Sequence, residues 1–193
     1  MHPARGVVTL VGAIAWLGAT ASAHAVTFQL TPEQRVEALR VGQKSVLTED
    51  WTGEWRVPER PGHFAVVMTP FHRLALAARN AAFKQSELKP KDVESMAKAE
   101  EGRLTVWAVL RGGKPDFARF FQPALVAGAH EVKPSFVQNE RTAAREEDGR
   151  YTARCLYVFP TEGLDPRGTV TLLVRDADAR PVARFTLNLS GMR

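Results

Sequence analysis

The period of hydrophobicity changes once along this 193-residue chain, near Arg103, and that change limits the fold more than any single residue does. Beyond Arg103 apolar and polar side chains alternate over Leu104–Leu110, Phe117–Val126, Val132–Val137, Tyr151–Phe159, Thr169–Arg175 and Pro181–Leu189. A period of two puts every second side chain on one face of an extended strand, so each run predicts a strand with one buried face. The last two form a hairpin: Val170, Leu172 and Val174 alternate in one arm, Phe185, Leu187 and Leu189 in the other, and Asp176-Ala-Asp178-Ala-Arg180 turns between them. Phe64–Met68 adds a seventh strand candidate, stopped by Thr69-Pro70. The chain is therefore expected to be mainly β with α additions.

The helical signals lie earlier. Thr31-Pro32-Glu33-Gln34 is a helix start, in which Thr31 caps, Pro32 suits the first turn and Gln34 reaches back to the cap amide. This helix is expected to run to about Leu47 with Val36, Leu39, Gln43 and Val46 or Leu47 on one face. Thr69-Pro70 repeats the capping pattern and opens a second helix, whose apolar face is Phe71, Leu74, Ala75, Ala78 and Ala82. A third follows Pro90, with Val93, Met96 and Ala97 inward, and Gly102 ends it. Thr48–Gly62, with two tryptophans, two prolines and two glycines, reads as an irregular loop.

Seven alternating strands suit an immunoglobulin-like sandwich, with an N-terminal helix and two helices (about residues 70–102) inserted after the first strand. The ending Gly168-Thr-Val-Thr-Leu-Leu-Val-Arg-Asp176 followed by Ala183-Arg-Phe-Thr-Leu-Asn-Leu-Ser190 resembles the closing hairpin of uncharacterised bacterial exported proteins with Ig-like or fibronectin type III-like domains. The resemblance covers mainly residues 103–193 and implies a fold, not an activity. Three segments are expected: residues 1–25, a signal peptide; 26–62, a helix and a tryptophan loop; and 63–193, the sandwich with its helical insertion.

The signal peptide reading rests on Arg5, the apolar run Gly6–Leu17 and the small residues that follow, where Ala21-Ser22-Ala23 and Ala23-His24-Ala25 each offer a cleavage site. The apolar run is shorter than the roughly 20 residues that span a bilayer, so no stable membrane anchor is expected after cleavage. A periplasmic or extracellular location follows. The single cysteine, Cys155, cannot form an internal disulfide, and its place in a strand-like run marks it as a small buried hydrophobe. The charge of +5, with 26 Lys and Arg against 21 Asp and Glu, is spread along the chain without a basic cluster, which argues against nucleic acid.

The familiar catalytic signatures are missing: no G-x-S-x-G elbow, phosphate loop, H-E-x-x-H or C-x-x-C occurs. Two S-x-x-K matches, Ser86 to Lys89 and Ser95 to Lys98, lack the companion motifs that such enzymes carry. His63 and His72 have no ligand spacing, and Asp176 with Asp178 falls short of a calcium shell, so no metal and no cofactor is expected.

One segment has aromatics without a periodic reason for burial. Asp50-Trp51-Thr-Gly-Glu54-Trp55-Arg56 sets two indoles beside acids, a composition that serves either to cover the end of a core or to meet a partner. Trp51, Trp55 and Glu54 are the candidate binding residues. The function expected is an exported, non-enzymatic binding or interaction module whose partner is an envelope protein or glycan. The alternatives are a small envelope hydrolase using Glu54 or Asp50, which needs two carboxyls at a set separation, and an assembly chaperone or adaptor that donates a sheet edge.

Overall fold

The computed structural model describes residues 25–193; the expected signal peptide, apart from Ala25, lies outside the described residues. Among the described residues, ten strands form two antiparallel sheets, and three α-helices join them over one core. In chain order these are α1 (Pro32–Lys44), β1 (Arg56–Arg60), β2 (His63–Met68), α2 (Pro70–Phe83), α3 (Pro90–Ala99), β3 (Arg103–Gly112), β4 (Gln122–Ala127), β5 (His130–Val132), β6 (Phe136–Gln138), β7 (Ala144–Arg145), β8 (Tyr151–Pro160), β9 (Thr169–Arg175) and β10 (Pro181–Asn188). The first sheet runs β1-β2-β3-β8-β6, with β7 also on β8, and the second runs β10-β9-β4-β5.

Alternation decides what the sheets bury. Ala65 and Val67, then Leu104, Val106, Ala108 and Leu110, then Ala153, Cys155, Tyr157 and Phe159 point inward from the first sheet, each at most 1% exposed. Leu172 and Val174 with Phe185 and Leu187 meet them from the second. Val26, Leu30, Ala38 and Trp55, from the segment before the sandwich strands, join the same buried cluster.

The ten strands differ from the seven of the alternation at four places, one of them the two-residue β7 added on β8. Arg56–Arg60 is a strand, not loop: it is the edge of its sheet, where Pro58 has no ladder donor to supply, and the Pro61-Gly62 turn after it needs the left-handed φ of +77° that glycine adopts freely. The run Val132–Val137 divides around Pro134, β5 joining the second sheet and β6 the first. Phe117–Phe121 turns back on itself through the Phe121 amide on the Ala118 carbonyl, so β4 starts only at Gln122.

Both Thr-Pro starts cap as expected. The Thr31 hydroxyl accepts from the Gln34 amide at 3.3 Å while the Gln34 side chain accepts from the Thr31 amide at 2.9 Å; Thr69 accepts from the His72 amide at 3.0 Å. The buried seam of α1 is not the expected apolar face. Val36 and Leu47 are 66% and 95% exposed, and the helix instead packs on α2 through Ala38 and Gly42. A Cβ on Gly42 would collide with the Ala75 carbonyl and the Ala78 methyl, so glycine sets how close the helices approach. Among the described residues no helix is long and apolar enough to cross a membrane.

Candidate functional site

The tryptophan loop folds inward. Trp55 is 1% exposed and lies parallel to His72, ring centres 4.3 Å apart, with Phe71 stacked beyond at 6.4 Å. Trp51, half-buried, meets both Trp55 and His72 edge-on at 5.8 and 5.2 Å, and the Arg79 guanidinium lies 5.4 Å from its ring. Arg79 is itself held by the Ser45 and Val46 carbonyls.

Glu54 is occupied as well. Its carboxylate accepts from the Arg193 amide at 3.0 Å, from Nε at 3.1 Å and from Nη2 at 2.6 Å, a forked pair. The main-chain oxygen of Arg193 accepts from the Trp55 indole at 2.9 Å and from the Thr69 hydroxyl. Thr69 thus caps α2 and ties down Arg193 with one side chain. The three sequence candidates do come together, around α2 and Arg193, and their polar atoms face inward partners. Of the two roles open to this loop, covering the core is the one its contacts show.

His72 is 1% exposed and donates Nδ1–H to the Val67 carbonyl at 3.0 Å. Burial holds its pKa down to about 4; the Val67 carbonyl and Glu54 act the other way, and Arg73 adds to the lowering. The unfolded chain takes up that proton near 6.5 and the folded one only near 4, so the folded state binds fewer protons between those values. Stability is then full above pH 6.5 and falls as pH drops toward 4, by about 3 kcal/mol from this residue. Urea midpoints at pH 7.5, 5.5 and 4.5 check it: a steady decline is expected, shallower in His72→Gln, and a flat profile contradicts the burial of a neutral ring.

His63 stands at the other end of β2, so the two histidines do not share a site. It is 5% exposed, and its Nε2 accepts the Arg111 amide at 3.3 Å, which requires the proton on Nδ1. Nδ1 has no hydrogen-bond partner, the Glu59 carboxylate standing 3.6 Å away. Burial first, then the Arg60, Arg150 and Arg111 charges, lower its pKa to about 4, so the ring is neutral at physiological pH.

His63 lines a cleft of about 440 Å³ between the edges of the two sheets. Arg60 comes from β1, Leu110 and Arg111 from β3, Phe117 and Phe121 from the turn before β4, Asp176, Pro181 and Val182 from the closing hairpin. Arg60 is half exposed and donates to the Val182 carbonyl at 2.9 Å, bridging the sheets. Arg111 pairs with Asp148 at 2.5 Å, and its stem rests on Gly62, where no side chain fits. Phe117 packs on Gly112 in the same way.

The other chemistry-bearing residues are engaged locally. One oxygen of Asp176 accepts the Asp178 and Arg180 amides at 2.9 Å and closes the hairpin turn. Ser86 donates to the Ala81 carbonyl, Lys89 precedes α3 and is out of helical register with it, and Ser95 and Lys98 lie on an exposed face. Cys155 is fully buried between Ala153 and Tyr157, and burial pushes its thiol pKa up. Among the described residues no three His, Cys, Asp or Glu side chains converge as a metal site.

No protein-family model matches the sequence, and no curated protein matches it. A solved structure of a protein of unknown function from Burkholderia pseudomallei K96243 is 8% identical, with a TM-score of 0.42 over 84% of this chain and 92% of that one. A likeness of that degree says nothing about function.

Proposed function

We propose that the protein is an exported binding module, an Ig-like sandwich serving as scaffold, and that its ligand is a small organic carboxylate, free or carried on an envelope glycan, held in the cleft of His63, Arg60 and Arg111. Export rests on Gly6–Leu17 and the small residues after it; the location, periplasmic or extracellular, follows from that. The scaffold reading is supported by two antiparallel sheets over a shared core.

The carrying observation is the composition of the cleft. Its volume of about 440 Å³ falls in the range of sites for single small molecules. The half-exposed guanidinium of Arg60, a flat donor fork matched to carboxylates, and that of Arg111, already paired with Asp148, stand among Leu110, Phe117, Phe121, Pro181 and Val182, which suit an apolar ring or chain. Asp176 in the same wall opposes a second negative charge, so a monoanion fits better than a phosphate. Of the edge strands, β5 and β6 offer three residues each, and the longer β1 and β10 lie against each other, which leaves little free length for strand addition.

Calorimetric titration with benzoate and glucuronate, against benzyl alcohol and glucose, tests the reading and separates the two ligand sources. The acids are expected to bind at least tenfold tighter than their neutral counterparts, and Arg60→Ala to remove that advantage while the protein still unfolds cooperatively. A charge-assisted hydrogen bond of about 1.5–3 kcal/mol accounts for a tenfold or larger effect. Equal binding of acids and neutral analogues, absence of binding, or an Arg60→Ala variant that binds like the parent rejects it.

A further inference from the structure

The cleft of His63, Arg60 and Arg111 has an anion in its wall as well as cations. Asp176, where the closing hairpin turns, is half-buried and lines it. One of its carboxylate oxygens accepts the Asp178 and Arg180 amides, each at 2.9 Å, which holds the group in place. The other oxygen accepts no hydrogen bond among the described residues, and Asp176 joins no ion pair there. Its two basic neighbours in the hairpin are committed elsewhere, Arg175 to Glu131 at 2.8 Å and Arg180 to Asp178 at 3.2 Å. A partly desolvated carboxylate without a cation is costly, and a bound group that brings a positive charge offsets that cost.

The charge balance of the cleft points the same way. Arg111 is neutralised by Asp148 at 2.5 Å, and Glu59 stands 3.5 Å from the Arg60 Nε. Arg60 donates through Nη2 to the Val182 carbonyl, which leaves its Nη1 for a ligand carboxylate. A ligand that brings only a negative charge meets Arg60 and is repelled by Asp176, whereas one that also brings an ammonium satisfies both. The backbone groups that hold the two side chains, the Val182 carbonyl and the Arg180 amide, are two residues apart, about 7 Å along the hairpin. Both side chains line the one cleft, so a single small molecule meets both.

The rest of the lining is apolar. Phe117 and Phe121 meet edge-on, ring centres 5.7 Å apart, beside Leu110 and Val182. Aromatic rings pack on one another edge-to-face or offset, so this pair accepts a third ring or an aliphatic chain. A sugar acid sets hydroxyls against the same rings, where they lose water without gaining partners. One cation, one anion and an apolar wall in a single cleft are the complement of an α-amino acid whose side chain is apolar.

We propose that the cleft takes a free α-amino acid with an apolar or aromatic side chain, its carboxylate on Arg60, its ammonium on Asp176 and its side chain against Phe117 and Phe121. This rests on the carboxylate reading of the cleft and narrows it to a zwitterion. Calorimetric titration with L-phenylalanine tests it against three relatives: 3-phenylpropionate, which lacks the ammonium, phenethylamine, which lacks the carboxylate, and L-serine, which lacks the ring. L-Phenylalanine is expected to bind at least tenfold tighter than each of them. Asp176→Asn keeps an oxygen for the two turn amides and is expected to bring L-phenylalanine and 3-phenylpropionate to within about threefold of each other. The comparison of ligands uses the unaltered chain, so it decides the matter even where the variant does not fold. Phenylalanine binding no tighter than 3-phenylpropionate, serine binding as tightly as phenylalanine, or a folded Asp176→Asn that keeps the preference overturns the proposal and leaves the carboxylate reading in place. Phenethylamine binding as tightly as phenylalanine, or no binding by either acid, overturns both.

Discussion

Trp55→Ala is expected to lower the free energy of unfolding by about 3–5 kcal/mol, the cost of emptying a buried indole site. The ring is 1% exposed, stacks on His72 and Phe71, and donates the bond that fixes the Arg193 oxygen, so its removal leaves a cavity, an unstacked histidine and a weakened tie at once. Trp55→Phe separates these terms: most of the area stays and the hydrogen bond goes, for about 1 kcal/mol beyond the loss of volume. Trp51, half-buried and edge-on, should cost less than Trp55. Denaturant midpoints measure all three. If the loop were a contact surface, Trp55→Ala would leave the midpoint in place and abolish partner binding instead.

Phe185→Ala should be comparably damaging, about 3–5 kcal/mol, against roughly 0.5 for Thr186→Ala one residue on. Phe185 is fully buried opposite Leu172, and Thr186, paired with Thr171, faces outward. Equal shifts in the two variants would mean that the strand sits one residue out of register, which would exchange its inner and outer faces.

How far the sequence went is visible in particular elements. The β9–β10 hairpin was legible because alternation and an Asp-rich turn are local and agree. The helix starts were legible for the same reason, since a cap is satisfied within three residues. The buried face of α1 was not, because helical periodicity ranks side chains by hydrophobicity, whereas the contact is set by Gly42 having no Cβ against Ala75. Strand β1 was hidden by Pro58, whose missing donor matters only if both neighbours of a strand are known.

The site was less legible than the fold. Glu54 and Trp55 looked free because their partners, Arg193 and His72, are distant in the chain; Arg193 is separated from Glu54 by 139 positions. The cleft draws on five separate segments, none with a motif, and its sequence signals, His63 and Asp176, pointed only to metal ligation.

One spectrum distinguishes the cleft from the tryptophan loop as the place where a ligand binds. An NMR titration with benzoate that follows the amides of His63 and Arg111 together with the indole signals of Trp51 and Trp55 reads both at once. The account predicts saturable shifts at His63 and Arg111 and still indoles, because the cleft is open and the tryptophans are committed to Arg193 and His72. Shifts at the indoles with unmoved His63 and Arg111 would contradict it and return the binding role to the tryptophan loop.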